Sequence, residues 1–528
     1  MALQIVQRPL YKTYAAGQDI IFVISETSGV VVNNSQVKFF ANVFINVDSQ
    51  NALSVGNSGL IGRFKVTPNN AGVGIFNFSS VLENYVSPDY AGCNTVLAPG
   101  FVSQSTFKTV GYNDTNDYHP IHLIDEFCLS TDSIKYFTIT FGIEYLGGGG
   151  DDSRVEPNPN MILSYVNDLF FNGVLYSTDI LNYGTAATAT SNNFGYKLDA
   201  TADSSRKSYI LQNNTGGTAR TGGFLTDAPA TQFARITDYG TLPFLNNLTG
   251  TDNSFQVGIA NITPTTVNYI TITLYNSAGV ALGNFDVTNL QSNGGYSANS
   301  PDLPSTTFAT SRLVYFGAFP ANLTGSGNAT WLTHQANVAY YTIDAYDNTS
   351  CPPADCPPKL IGEQYRIDIV TGDCRFETIR LTWLNKHGTW DYYTFTKKSV
   401  RSLTTNRTNY TQLGGSWNGK VFTKRGDRGG QKNFRVNTKE RIKVNTDYVT
   451  EDDAVWFEQL INSTEVYILN EYFNTPSGVS AAGGNINRYV EPVVLTTSSY
   501  TRKTKGNDKL IQYTFDVERA TDRRTQNV

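Results

Sequence analysis

Charged residues are scarce in this chain. They make up 16% of its 528 residues, where about a quarter is usual for a soluble protein. Asn, Thr, Ser and Gly stand in their place. Helix-forming Met occurs only twice. Cysteine is sparse and odd in number: Cys93, Cys128, Cys351, Cys356 and Cys374. That excludes a disulfide framework and suits synthesis in a reducing cytoplasm. Histidine is limited to His119, His122, His334 and His387. A structural zinc site needs tight Cys or His pairs that supply four ligands. Cys351 and Cys356 lack a second close pair, so neither they with Cys374 nor Cys93, Cys128, His119 and His122 are expected to bind metal. The segment CPPADCPP at 351–358 is a Pro-stiffened hairpin with incidental thiols, or else carries a local disulfide.

No apolar run approaches the roughly 20 residues of a membrane span. Residues 1–15 lack the apolar core of a secretion signal. Neither a signal peptide nor membrane insertion is therefore expected. Nucleophile elbow, phosphate loop and zinc-protease helix are all missing. The glycines at 147–150 precede Asp151 and Asp152, with no Lys-Ser/Thr and no following helix, so they read as a loop. Carboxylate pairs for glycoside cleavage depend on folded geometry, but the acidic residues here are dispersed. No catalytic residue, cofactor or metal site is assigned, and the chain is not expected to be an enzyme. Asn-x-Ser/Thr triplets, as at Asn77, Asn261 and Asn322, are what chance gives in an Asn- and Thr-rich chain.

What is abundant is aromatic: 31 Tyr and 30 Phe. Strands favour aromatic and β-branched residues, and Asn and Gly punctuate turns. The expected fold class is all-β, with several sandwich-like domains, long loops and arms, and one short helix packed on a C-terminal sheet. Three domains are expected. The first, 1–180, contains strands at 19–25, 37–47, 62–66, 73–82 and 134–145, with a long insertion at 87–130. In 37–47 Phe40 and Phe44 break strict alternation, which implies that both faces are partly covered. The second domain, 181–372, has strands at 267–275, 312–317, 338–345 and 364–370. The third, 373–528, has strands at 376–384 and 390–396 around an Asn-Lys-His-Gly turn at 385–388. It also holds a helix over 450–462, with Thr450 as N-cap, acidic residues in the first turn and Val455, Trp456, Phe457 and Leu460 on the buried stripe.

Net charge is −5, unevenly placed. Residues 1–370 hold 16 Lys and Arg against 28 Asp and Glu, whereas 371–528 hold 24 against 17. An acidic body joined to a basic end suggests different neighbours for each part; a merely solvated surface is the plain alternative. The cations concentrate at 397–443, where Lys397, Lys398, Arg401, Lys424, Arg425, Arg428, Lys432 and Arg435 are the candidate docking arm. Basic groups with interspersed aromatics can track a nucleic-acid backbone. Gly414, Gly415, Gly419, Gly426, Gly429 and Gly430 interrupt any continuous platform, so an arm that docks on neighbouring subunits is preferred. Trp383, Trp390, Tyr392, Tyr393, Phe395 and Trp456 are the candidate core or interface aromatics.

Several segments carry a family resemblance. They are WLNKHGTWDYYTF (383–395), preceded by YRIDIVTGDC (365–374) and IRLT (379–382); DDAVWFEQLINSTEVYIL (452–469); and EPVVLTTSSYTRKTKGNDKLIQYTFDVERA (491–520). FGIEY (141–145), FLTDAP (224–229) and KVTPNNAGVGIFNFSSVLENYV (65–86) match more weakly. In this order they resemble tail proteins of tailed phages infecting Bacteroidota, crAss-like phages included. Ile143 and His387 depart from that pattern, at a strand and a turn. The resemblance implies a structural component of the virion tail, made in the bacterial cytoplasm: a ring, hub or tip part assembling with copies of itself and with other tail proteins. The alternative is a tail protein that contacts a host receptor or surface glycan. Nucleic acid is not an expected partner.

Overall fold

The structure is a computed structural model. It describes residues 3–9, 13–27, 29–45, 59–89, 127–130, 132–146, 163–176, 179, 183–187, 192–196, 198, 207–213, 220–246, 267–289, 312–347, 359–370, 376–416, 421–469, 490–504, 510–520 and 523–524. It is mainly β, as the composition implies, and its described helices are few and short. The chain divides into two compact units. One is Met1–Val370 together with Leu384–Asp391; the other is Thr371–Trp383 with Tyr392–Val528. Both spans 1–180 and 181–370 thus fall in the first unit.

In the first unit a five-stranded sheet runs in the order Thr13–Gly17, Leu163–Val174, Ile134–Leu146, Ser35–Ile45, Leu60–Val66. Its first pair is parallel and the others antiparallel. A three-stranded sheet, Leu3–Gln7, Ile21–Glu26, Gly74–Asn77, shares its core. Phe22 and Phe76 of the smaller sheet pack at 5.6 and 5.7 Å on Phe141 of the larger. Phe39, Ala41 and Val43 line that core, as period-two alternation requires. Phe40 and Phe44 are buried on the opposite face, so the broken alternation marks a strand covered on both sides. The segment at 73–82 is shorter as a strand than its pattern suggests. Pairing stops at Asn77, whose side-chain oxygen accepts from the backbone N–H of Ser79, and a helical turn Ser79–Leu82 follows.

Among the described residues this unit also holds two two-stranded ribbons, Tyr183–Ala187 with Asn192–Tyr196 and Gln212–Asn213 with Arg220–Thr221, and two further sheets. One has the order Thr231–Ala234, Lys359–Ile369, Tyr340–Asp347, Tyr269–Tyr275, Ala281–Thr288; the other Thr241–Leu245, Leu313–Gly317, Phe127–Leu129. Phe224 bridges them, 4.8 Å from the ring of Tyr365 and 6.0 Å from that of Phe244. Two short helices, Pro320–Ser326 and Ala329–His334, join the expected strands.

Among the described residues the second unit has a two-stranded pair, Gly415–Ser416 with Thr423–Lys424, and is otherwise built on one sheet. Its order is Trp390–Phe395, Ile379–Leu384, Val466–Leu469, Val490–Leu495, Thr514–Arg519, Gly430–Asn445, Val400–Gln412, with Arg523–Arg524 also pairing the strand Gly430–Asn445. The helix Glu451–Asn462 lies over it. Thr450 and Asp453 form a reciprocal capping box, and Glu451, Asp452 and Asp453 fill the first turn, where carboxylates complement the exposed N–H groups. Ala454, Trp456, Phe457, Gln459 and Leu460 face inward; Val455 is only half-buried.

Candidate functional site: a basic hairpin arm

The cationic segment forms a regular antiparallel ribbon. Val400–Gln412 pairs with Gly430–Asn445 from Val400↔Lys443 to Gln412↔Gly430. At its base the ribbon belongs to the sheet, since Arg441–Asn445 also pairs with Thr514–Glu518. There the side chains alternate cleanly. Ile442 and Val444 are buried, while Arg441 and Lys443 point outward. Past Asn437, the last residue paired with Arg523–Arg524, no third strand borders the ribbon among the described residues. Six pairs remain, from Arg407↔Val436 outward, or about 20 Å of free-standing hairpin at 3.3 Å per residue.

Local chemistry explains why the segment is a ribbon. Thr404, Thr405, Thr408, Thr411, Tyr410 and Val436 are strong strand formers. The register slips by one at Phe434, which is left opposite no residue between the pairs Thr408↔Arg435 and Asn409↔Asn433. Such a bulge sharpens the twist. Phe434 meets the ring of Tyr410 edge-on at 6.4 Å. Near the tip, Gly415 is required by close approach: a Cβ there would lie 2.3 Å from the ring of Phe422.

The electrostatics differ between base and tip. Lys439 and Arg441 bind Glu518 at 2.7 and 2.9 Å, and their hydrogen bonds hold its carboxyl below the ordinary range. Arg401 pairs with Glu377 and Glu440, and Lys397 with Asp447 at 2.9 Å. Lys398 is exposed, and its carbonyl accepts from Asn445. In contrast, no carboxylate among the described residues pairs with Arg407, Lys424, Arg425, Arg428, Lys432 or Arg435. Arg435 binds the side-chain oxygen of Asn437, and Lys432 the carbonyl of Asp427. Exposed apolar groups accompany these cations: Leu413 (70%), Val421 (77%), Phe422 (53%) and Phe434 (60%).

The candidate aromatics are brought together in the core. Trp383, Tyr392, Phe395 and Trp456 are buried in the second unit, and Tyr393 is half-buried. Trp383 and Trp456 lie 5.1 Å apart, and Tyr393 stands edge-on to Phe457 at 5.0 Å. Trp390 is also buried, within the segment Leu384–Asp391 of the first unit. In the monomer these rings pack the protein rather than present a surface.

Sequence reading missed a second constellation, at the turn 385–388. Lys386 is buried in the first unit, with Nζ 2.9 Å from both Asp179 and Asp227. Burial lowers the basicity of this amine, but Asp227, Tyr196 and Asp179 outweigh it and raise it above its ordinary value. Burial likewise pushes Asp227 up, and Lys386 and Lys207 overcome this to hold it well below the carboxylate range. Tyr209 donates to Asp227 at 2.5 Å. The ring of His387 lies 4.3 Å from that of Tyr209; burial and then Lys386 lower its pKa to about 3. Asn385 and Thr389 donate to the carbonyl of Leu225, and Thr226 to Asp391. Thus the segments FLTDAP (224–229) and NKHGTWD (385–391) meet here. Perturbed ionisable groups cluster at functional sites and in structural ion-pair networks alike. Lys386, Asp179, Asp227 and Tyr209 are enclosed and bonded to one another, with the His387 ring packed beside them, which makes this a packing node.

Among the described residues no group of three or more His, Cys, Asp and Glu is placed to hold a metal. Cys93, Cys351, Cys356, Cys374, His119, His122 and the side chain of Cys128 lie outside the described residues. No described helix is long and apolar enough to cross a membrane.

No known family's sequence profile matches the chain, and no curated protein does. Among solved structures, Salmonella alpha-2-macroglobulin aligns at 7% identity over 90% of this chain and 27% of its own, with a TM-score of 0.12. The E. coli protein of the same name aligns at 9% identity over 84% and 27%, with a TM-score of 0.13. The chain spans about a quarter of the length of these proteins. At such TM-scores the likeness carries no argument about fold or function.

Proposed function

We propose that this chain is a structural protein of a tailed-phage virion, part of the tail as a ring, hub or tip component. It is made in the bacterial cytoplasm and assembles with copies of itself and with other tail proteins. The observation that carries this reading is the arm, a ribbon uncovered on both faces, with cations and apolar groups exposed together. Isolated two-stranded hairpins are marginal in water, and exposed strand edges invite pairing with another chain. An element of this kind is stabilised by what it docks on. Peptide mass spectrometry of purified virions tests the reading, with light scattering of the full chain alone and with neighbouring tail proteins. Peptides at structural copy number support it; absence from virions that assemble normally refutes it.

A host-surface role is the second reading, and one observation favours it. The outer face of the five-stranded sheet bearing Tyr269–Tyr275 carries two stacked tyrosine pairs, Tyr269/Tyr346 at 4.9 Å and Tyr275/Tyr340 at 4.8 Å. All four rings are half-buried, and the Arg366 guanidinium lies 3.7 Å over Tyr340. Binding of the chain to host cells that is lost in Tyr269→Ala/Tyr275→Ala would move the assignment to receptor recognition.

A further inference from the structure

The charge of this protein is divided more sharply than its two ends suggest. Residues 397–445 hold thirteen Lys and Arg against Asp427 and Glu440. The second unit outside that stretch holds 10 cations against 14 carboxylates, so its basic character belongs entirely to the arm. The first unit holds 17 Lys and Arg against 29 Asp and Glu. At the base, carboxylates of the same unit answer the cations: Glu377, Glu440 and Glu518. Towards the tip they do not.

The distal arm therefore fits a partner with an anionic surface and room for a few apolar side chains. A symmetric arm-to-arm contact would oppose two strongly cationic ribbons, and like-charge juxtaposition costs several kcal/mol. The acidic first unit has the opposite sign, and every copy of the chain brings one arm and one such unit in equal number. We propose that the distal arm of one copy docks on the acidic first unit of a second copy, head to tail. A contact of this type is heterologous; repeated, it closes a ring or extends a filament. The inference rests on the assembly reading given above and names its partner.

The test uses full-length protein, half of it labelled with nitrogen-15, mixed and treated with a zero-length amine-to-carboxylate coupling reagent. Lys424 and Lys432 are the reporters. Mixed-isotope peptides joining either lysine to Asp or Glu within residues 1–370 are expected at low salt. They should disappear near 1 M salt, where the Debye length is about 3 Å. The variant Arg407→Glu/Arg425→Glu/Arg428→Glu/Arg435→Glu reverses four exposed charges without altering a buried residue. It should lower the mixed-isotope yield at least tenfold and shift sedimentation to the monomer, with the melting midpoint unchanged. Equal yield in the variant overturns the proposal, as does a wild type that stays monomeric at low salt and couples only within one isotope. If that monomer instead shifts a random-sequence DNA duplex, and the variant does not, nucleic acid is the occupant and the proposal is wrong. Virion content separates the two readings: a virion component without mixed-isotope coupling sinks this inference alone, and coupling without virion presence sinks the tail assignment alone.

Discussion

Replacing Lys386 with Met should destabilise the first unit by about 3–5 kcal/mol at neutral pH, the usual cost of leaving one partner of a buried ion pair uncompensated. The magnitude follows from position. Lys386 is 2.9 Å from both Asp179 and Asp227, and all three side chains are almost wholly enclosed. Met preserves most of the aliphatic stem, so what is lost is chiefly the ammonium. The pH dependence is diagnostic. In the wild type the depressed carboxyl of Asp227 contributes stability that is complete above the unfolded-state pKa of about 3.9 and fades as pH falls through the lower folded value. Without the ammonium, the burial that pushes this carboxyl up is opposed less, so it takes up a proton more readily as pH falls. The deficit should therefore be largest at pH 7 and shrink below about pH 5. A multi-unit chain need not unfold in two states, so the assay is hydrogen exchange by mass spectrometry, read on peptides spanning 163–176 and 384–391. The triple variant Lys386→Met/Asp179→Asn/Asp227→Asn should recover most of the loss. Protection in Lys386→Met equal to wild type at pH 7 would refute the view that this network holds the turn.

Two other perturbations probe the packing. His387, with its pKa lowered to about 3, stays neutral in the folded state while the unfolded imidazole takes up a proton below about pH 6.5. Stability is thus complete above that pH and falls as pH drops, by about 2 kcal/mol between pH 6.5 and 5; His387→Gln should flatten this limb of a stability–pH curve. Trp456, buried against Trp383 and Phe457 at 5.1 and 5.2 Å, should cost about 3–5 kcal/mol when cut to Ala. Unchanged exchange of Glu451–Asn462 in that variant would contradict the helix-on-sheet core of the second unit.

Legibility in the sequence followed locality. The helix Glu451–Asn462 announced itself through Thr450, three acidic residues and an apolar stripe, all within one short segment. Ser35–Ile45 and Ile134–Leu146 were plain from their aromatic and β-branched runs. Pro320–Ser326 and Ala329–His334 carry genuine start signals, Pro at the first turn and the Asn328 cap, but six or seven residues are too few to build a period. The node at Lys386 was illegible for a different reason. Asn-Lys-His-Gly reads as an exposed turn, and its ionic partner Asp179 lies 207 residues away. Nothing in a linear pattern states that a charged turn will be buried. The arm fell between these cases. Its basic content was obvious, but a ribbon with solvent on both faces has no apolar alternation to reveal pairing, and its glycines suggested an irregular course.

The same two-sidedness leads to a last prediction. Hydrogen-bonded amides exchange slowly only when opening them costs free energy, and that cost comes mostly from neighbours. From Glu440 to Asn445 the arm strand pairs with Val400–Leu403 on one side and Thr514–Glu518 on the other, with Ile442 and Val444 in the core. From Val436 outward the pairs have only each other, no buried side chain to close over them, and cations that repel along the ribbon. Protection in the free, low-concentration chain should therefore break near Asn437, slow on the basal side and fast on the distal side. Concentrating the protein at low salt, where arms are docked, should slow the distal amides while leaving the basal ones unchanged. Uniform protection along the whole ribbon in the dilute monomer would mean that the hairpin is self-sufficient, and that its exposed cations and apolar groups call for no partner.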